Sequence, residues 1–183
     1  IDAATVSISE FHSLVSTRPN GIGLEWATLV QRLQAFSERD VKDGPGWSPV
    51  TYIANQTRGN ESVIAITAAV IDIDHDEPEW GLLEAFEYVA HTTFSHMAQP
   101  DDPHWRVVLP FSTPVPRSQW PETWRKIRFW LTPSADEACK DESRFYWWPT
   151  CQPDAPRDTR HHHGRLLDPE TLRDVPAEQP PLR

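Results

Sequence analysis

Two aspartates separated by one residue close a long apolar segment of the chain. Asp72 and Asp74 follow residues 63–71, a run rich in β-branched side chains that contains neither glycine nor proline. This composition predicts a buried β-strand, across which side chains alternate, so both carboxylates lie on one side roughly 7 Å apart at the backbone. Carboxylates this close at an apolar edge repel each other unless a cation lies between them. The pair predicts one or two divalent metals; the alternative is a strand end with solvated acids.

A metal-dependent phosphoryl-transfer site needs a third carboxylate, supplied by another element of the fold. The candidate is Asp136, in the charged segment 134–144, and Asp141 in the same segment is its rival. The alternative interpretation of this segment is an ordinary solvated connection.

Basic side chains near the aspartates are candidates for contact with phosphate. Arg106 heads the apolar run 107–109, and a guanidinium there could fork onto triphosphate oxygens or keep its head in water. His96 and His104 flank the same region, although a lone histidine is more often structural than catalytic.

Two further clusters have a structural explanation beside a functional one. His161, His162 and His163 cannot all face one metal on a strand, so an exposed polar strand or a weak adventitious metal site is favoured over a specific metal site. Trp147 and Trp148 could stack on a base, but core packing is the default for at least one of them.

Composition limits the classes of protein that this chain can belong to. Its 183 residues, 38% hydrophobic content and nine tryptophans predict a folded chain with one domain, residues 1–175, followed by a proline-rich linker, residues 176–183. A start at Ile1 predicts a piece of something longer. Two cysteines without CxxC spacing support neither a zinc knuckle nor a disulfide framework, so we expect a reduced cytoplasmic setting.

Charge and hydropathy add two expectations. No run approaches the roughly 20 apolar residues of a membrane span, so no membrane partner is expected. Acidic residues outnumber basic ones by 27 to 17, for a net charge of −10, which disfavours a stand-alone nucleic-acid-binding module.

Hydrophobic periodicity predicts alternating strands and helices, and a hairpin with a polar loop at 99–103. The mixture predicts an α/β or α+β sandwich of sheet and helices. The predicted strands are 5–11, 50–54, 63–74, 91–96, 105–111 and 145–148, and the predicted helices are 24–36, 79–89 and 120–131.

These motifs resemble those of the archaeo-eukaryotic primase (primase-polymerase) superfamily, and within it the replication proteins of phages and plasmids. The first family motif, an apolar strand ending in Asp-x-Asp, matches residues 70–74. The third motif matches residues 136–149, with an Asp, a second Asp, Arg144, an aromatic strand and a proline. The second motif, which places a His before a strand that contacts the nucleotide, departs from the family: either Arg106 replaces that His or His96 supplies it.

The resemblance implies a primase-like catalytic core, with a mixed or antiparallel RRM-like sheet flanked by helices, acting as a DNA primase or DNA polymerase. It implies a single-stranded DNA template, nucleoside triphosphates, and a helicase region further along the polypeptide of a mobile genetic element. Asp72, Asp74 and Asp136 would hold two Mg²⁺ or Mn²⁺ ions. The remaining implied contacts are with nucleotide (Arg106, Arg144, His96, Lys140, Ser143) and with DNA (Arg125, Lys126, Arg128).

Three other functions remain compatible with these residues. A nicking replication initiator would use a His-metal pair from residues 161–163 and a nucleophilic tyrosine, Tyr88 or Tyr146. A non-catalytic nucleic-acid-binding domain would need no divalent site. A sugar-nucleotide transferase would use Asp-x-Asp as its metal site.

Overall fold

The protein contains eleven strands and three α-helices in the computed structural model, which describes residue 1 and residues 3–177. The strands are β1 (Thr5–Phe11), β2 (Asn20–Glu25), β3 (Ser37–Glu38), β4 (Gly46–Ser48), β5 (Val50–Tyr52), β6 (Val63–Asp74), β7 (Tyr88–Thr92), β8 (His104–Pro116), β9 (Tyr146–Trp147), β10 (Thr150–Cys151) and β11 (Thr159–His162). The helices are α1 (Trp26–Gln34), α2 (Trp80–Leu83) and α3 (Trp120–Trp130).

Three sheets organise these strands. The largest has the order β11-β7-β8-β6-β5, and all its neighbours are antiparallel. A four-stranded antiparallel sheet has the order β2-β1-β4-β9, and β10 pairs with β3 in parallel. The predicted α+β class, with a mixed and largely antiparallel sheet flanked by helices, is confirmed.

The apolar segment that ends in Asp-x-Asp forms the long strand β6, as predicted. Its side chains from Ile66 to Ile73 are all buried, because the strand lies inside the sheet with its faces covered. A strand buried on both faces reads as a continuous hydrophobic run rather than an alternating one. The strand therefore carries its two terminal aspartates to the margin of the core.

Two amphipathic helices cover the sheets at the predicted places. Helix α1 turns Trp26, Leu29 and Leu33 into the core, where it packs against β7 and β2. Helix α3 begins with a proline in its first turn and buries Trp120, Trp124 and Ile127. Their apolar stripes recur every three or four residues, which is the signal that made both helices predictable.

The predicted helix over residues 79–89 is wrong. Only Trp80–Leu83 is helical, and Tyr88–Thr92 is strand β7, which pairs with β8 on one side and β11 on the other. Every residue of β7 is buried. Burial on both faces removes the alternation that identifies a strand, so the apolar residues also fitted a helical period.

Several short strands were not predicted. Strand β2 contains two glycines, has no fully buried residue and lies at a sheet edge, so its sequence lacks the apolar pattern of a strand. Residues Thr159–His162 form the edge strand β11, as predicted, but the strand is mostly half-buried rather than exposed, and His163 lies beyond its end. Most of the proposed linker, residues 178–183, lies outside the described residues. No helix in the described part of the chain is long and apolar enough to cross a membrane.

Burial along β6 leads to a stability prediction. Ile71 is fully buried, whereas Ile64, on the same strand, is 53% exposed. We expect Ile71→Ala to lower the free energy of unfolding by about 2–5 kcal/mol, through lost burial and a residual cavity. The matched Ile64→Ala should cost less than about 1 kcal/mol. Urea denaturation of both variants measures the difference, and equal losses would contradict the burial of this strand.

Candidate functional site

Asp72 forms a buried, two-pronged ion pair with Arg106. The two residues lie opposite each other on β6 and β8. Arg106 Nε donates to Asp72 Oδ1 at 2.7 Å and its terminal nitrogen donates to Oδ2 at 3.1 Å, with both side chains less than 10% exposed. The remaining Arg106 nitrogen donates to the carbonyl of Trp147 at 3.1 Å. The Arg106 guanidinium is therefore hydrogen-bonded to Asp72 and to the backbone, and it does not face open space where a triphosphate could lie.

The ion pair sets the protonation of Asp72. Burial alone would raise the pKa of this carboxyl, but the charge and hydrogen bonds of Arg106 outweigh burial and hold the pKa below its ordinary value. Underneath, Cys139 Sγ accepts the Asp72 N–H at 3.3 Å, and burial followed by the Asp72 charge raises the pKa of that thiol to about 12. Asp72 is thus a fixed anion beside a neutral thiol.

Asp136 lies directly against Asp72, as the sequence predicted for a third acid. Strand β5 pairs only with the first part of β6, and the turn that follows Asp136 lies against the later part. The Asp136 N–H donates to the Asp72 carbonyl at 2.8 Å, and Arg144 spans the two carboxylates at 3.4 Å from each. Asp136 Oδ1 also caps the turn by accepting from the Ala138 N–H. Its rival Asp141 is exposed and has no such contact with Asp72 among the described residues.

Asp74 begins a chain of alternating carboxylates and imidazoles. It is 41% exposed and lies 2.8 Å from His104 Nδ1. His104 Nε2 lies 3.1 Å from Asp102, whose other oxygen is 2.5 Å from His75. Burial would lower the pKa of His104, but its bonds to Asp74 and Asp102 outweigh burial and raise it. His96 joins at the edge, where its Nδ1 accepts the His104 N–H. The predicted acid Asp74 therefore has a solvent-facing carboxylate oriented by His104.

Lys42 lies near the acidic cluster, and sequence reasoning did not identify it. Its amine lies 4.9 Å above the Trp147 ring, and its pKa is lowered by burial and then by Arg106. Together with His91 and Arg106, Lys42 lines a cavity of about 10 Å³. Burial, followed by the Arg106 charge, lowers the pKa of His91 to about 3, so this imidazole is neutral. An isolated lysine in a loop carries no sequence signal that would mark it.

Lys140 and Ser143, two residues predicted to contact the nucleotide, contact other side chains instead. The Lys140 amine is 61% exposed and lies 3.5 Å from Glu137. Ser143 donates its hydroxyl to the Asn60 side chain at 2.6 Å, and the Asn60 oxygen also accepts the Ser143 N–H. Ser143 therefore fixes the start of the segment that carries Arg144. Neither side chain contacts Asp72, Asp74 or Asp136 among the described residues.

The basic residues of helix α3 lie on its surface, but each has an acidic partner. Ion pairing reduces the positive potential that attracts a phosphate backbone, and the template would have to displace these partners. The pairs are Arg125–Glu122 at 3.1 Å, Lys126–Asp174 at 2.8 Å and Arg128–Glu137.

The donor set of this cluster has the chemistry that a hard divalent cation prefers. Asp74 and Asp136 present partly exposed carboxylate oxygens, the ligands that suit Mg²⁺ and Mn²⁺. Asp72 fits less directly, because both its oxygens are bonded to Arg106 and a cation there would have to replace one of these bonds. Asp74 and Asp136 are therefore the better candidates among the three predicted acids, although neither belongs to a group of three ligand atoms within 4.8 Å of one another among the described residues.

The two tyrosines considered for the nicking alternative are both buried. Tyr88 and Tyr146 are 1% and 2% exposed, and burial raises the pKa of both phenols. The Tyr146 hydroxyl donates to the Val70 carbonyl inside the core. Neither tyrosine can reach a DNA strand in this arrangement.

Comparison with known proteins gives one structural likeness to report. No protein-family model and no curated protein matches the chain. Among solved structures, the chain is similar to the AEP domain of the primase-polymerase (PrimPol) of cyanophage S-2L, with a TM-score of 0.49 and 14% sequence identity. The alignment covers 92% of this chain and 87% of that chain. At this identity, residue roles do not transfer from one chain to the other.

The Asp72–Arg106 pair makes a prediction about stability and pH. A carboxyl with a depressed pKa in the folded state contributes stability above its unfolded pKa, and that contribution is lost as the pH falls through the folded value. We expect Asp72→Asn to lower the free energy of unfolding by about 3–5 kcal/mol at pH 7, since it leaves a buried guanidinium without its counter-charge. The variant should also lose part of the wild-type decline in stability below about pH 4.

A double variant separates the ion pair from simple packing. Asp72→Leu with Arg106→Met removes both charges, and we expect it to recover much of the stability that Asp72→Asn loses. Urea denaturation across a pH series measures all three proteins. Parallel pH profiles for wild type and Asp72→Asn would contradict a depressed Asp72 pKa.

Proposed function

We propose that this chain is a template-directed nucleotidyl transferase of the primase-polymerase kind. The observation that carries the proposal is the contact between Asp72 and Asp136, which come from separate parts of the fold and share Arg144, with the exposed carboxylate of Asp74 on the same strand. Acidic residues joined in this way, next to fixed cations, suit transfer of a nucleotide from a triphosphate.

The three acids have different tasks in this proposal. Asp74 and Asp136 hold Mg²⁺ or Mn²⁺, which when bound polarises the attacking hydroxyl and neutralises charge on the triphosphate. Asp72 positions the others, because it fixes Arg106 across the sheet and orders the Asp136 segment through its carbonyl. We also propose that Asp72 itself acts as a metal ligand, in addition to positioning the other two acids.

Two cations are placed to receive the triphosphate. Arg144 is 28% exposed and its contacts with the two acids are long, at 3.4 Å, so its guanidinium retains donors for phosphate. Lys42 lies near the same cluster, with its amine above the Trp147 ring. Lys140 and His96 are further proposed contacts at the rim.

The net charge of the chain determines how strongly it can bind a DNA template and whether it needs a further region to do so. With a net charge of −10 and paired basic residues on α3, this chain alone holds single-stranded DNA weakly. We therefore propose that a further region of a replication protein of a phage or plasmid, such as a helicase, supplies most of the DNA affinity. Arg125, Lys126 and Arg128 then guide the template rather than retain it.

Nucleotide incorporation tests the role of the exposed acid. We expect labelled nucleotide to be added to primed or unprimed single-stranded DNA in the presence of Mg²⁺ or Mn²⁺, and Asp74→Asn to slow incorporation about a hundredfold or more. The control is Asp76→Asn, on the same loop, whose carboxylate bonds the Glu77 N–H and is not part of the cluster. Full activity of Asp74→Asn, or a wild-type chain that binds neither nucleotide nor metal, would refute the proposal.

The dependence of rate on nucleotide concentration tests Lys42. We expect Lys42→Ala to raise the nucleotide KM about tenfold or more, because a hydrogen bond to a charged group contributes about 1.5–3 kcal/mol. Lys140→Ala is the comparison, since that amine is exposed and already close to Glu137. A larger effect at Lys140 than at Lys42 would show that the triphosphate lies on the other side of the acidic cluster.

A further inference from the structure

Glu87 is a fully buried carboxylate held in a fixed orientation. It lies just before β7, and its side chain is 0% exposed. The indole N–H of Trp26 donates to Oε1 at 2.8 Å, and the Gly164 N–H donates to Oε2 at 2.9 Å. Gly164 can approach this closely because it has no Cβ, which would lie 2.4 Å from the Phe86 backbone. Donors from two other parts of the chain therefore orient Glu87 independently of any charged partner.

Two histidines of the 161–163 run face this carboxylate. His161 Nε2 lies 2.7 Å from Glu87 Oε1, His163 Nδ1 lies 3.6 Å from Oε2, and the two imidazole rings are 4.4 Å apart. The middle residue, His162, points the other way, where it stacks on Tyr88 at 5.2 Å. Strand alternation, which prevents three consecutive histidines from sharing one metal, thus places the first and third on the same side.

Glu87 has no permanently charged partner within 4 Å among the described residues. Among the described residues, its ionic partners within 4 Å are His161 and His163, which are charged only when protonated. A buried carboxylate is strongly stabilised by a full positive charge, and a metal ion supplies one whatever the protonation of the imidazoles.

We propose that Glu87, His161 and His163 form a binding site for a zinc-class transition-metal ion. Their ligand atoms all lie within 4.8 Å of one another. With metal–ligand bonds of about 2.0–2.2 Å, tetrahedral ligands stand about 3.4 Å apart, so small rotations of the side chains close the site. Two imidazole nitrogens favour zinc over magnesium. Trp26 and Gly164 supply the outer hydrogen bonds that orient a metal-bound carboxylate.

The position of the site indicates its role. His163 is 73% exposed and gives the ion a route from solvent, whereas Glu87 is anchored to helix α1 through Trp26. A bound ion would tie the edge strand β11 to β7 and to α1. This role is structural and uses ligands other than those of the proposed transferase site, namely Glu87 and two imidazoles rather than the acids of the Asp72 cluster.

Zinc titration of the tag-free 183-residue chain tests the site. We expect one equivalent of Zn²⁺ to bind and to raise the melting temperature, and Co²⁺ in its place to give the visible absorption of a four-coordinate site. His163→Ala, at an exposed position, should weaken Zn²⁺ binding about tenfold or more and abolish the thermal shift. His162→Ala, the matched control on the opposite side of the strand, should leave affinity within about twofold.

A second pair of variants tests whether zinc binds at the other histidine cluster instead. His75, Asp102 and His104 also bring ligand atoms together, so His75→Ala is measured in parallel. Zinc binding that survives His163→Ala but is lost in His75→Ala would overturn the proposal, as would no binding by the wild type. Asp74→Asn should bind Zn²⁺ normally even where it incorporates no nucleotide, which separates this site from the proposed transferase function.

Discussion

The register between β6 and β8 is the constraint on which the candidate site depends. It sets Asp72 opposite Arg106 and Asp74 opposite His104, so each acid meets a basic partner directly across the ladder. A slip of one residue would turn every side chain of β6 to the other face and leave buried charges without partners. Ile71 and Ile73, both fully buried, hold the register by filling the core on either side of Asp72.

This register also explains why the third acid lies where it does. Beyond the short pairing with β5, one edge of β6 has no neighbouring strand in the described part of the chain, and an unpaired edge leaves backbone groups to be satisfied. The segment after α3 satisfies them through the Asp136 N–H and Cys139 Sγ. Asp136 therefore reaches Asp72 because the strand edge needs a backbone partner, and the two carboxylates then share Arg144.

The sequence allowed prediction of elements whose pattern is local. The composition of residues 63–71 predicted β6, and the helical spacing of apolar residues predicted α1 and α3. The contact of Asp136 with Asp72 was anticipated through a motif, and the preference for Asp136 over Asp141 agrees with the geometry. The predicted strand 91–96 shares only residues 91 and 92 with β7, and the first residues of β7 were assigned to a helix because both faces of the strand are buried.

Features that depend on pairing across the fold could not be predicted. Nothing local in the sequence marks Lys42, which reaches the cluster only because its loop folds over Trp147. Arg106 was identified as a site residue, but its commitment to Asp72 follows from strand register, which the sequence does not specify. Glu87 looks like an ordinary surface acid until β11 and α1 close around it.

Strand β7 links the two cation-binding regions that we propose. Its residues 88–91 pair with β11, where His161 stands opposite Val89, and its residues 89–92 pair with β8, where His91 stands opposite Arg106. Glu87, immediately before β7, is fixed by Trp26 and Gly164, so the strand enters the sheet at a set position. A displacement of β7 would move His91 and change the surroundings of Arg106, whose charge is balanced by Asp72. An ion that pins Glu87 to β11 would therefore stabilise the same register that holds the acidic cluster together.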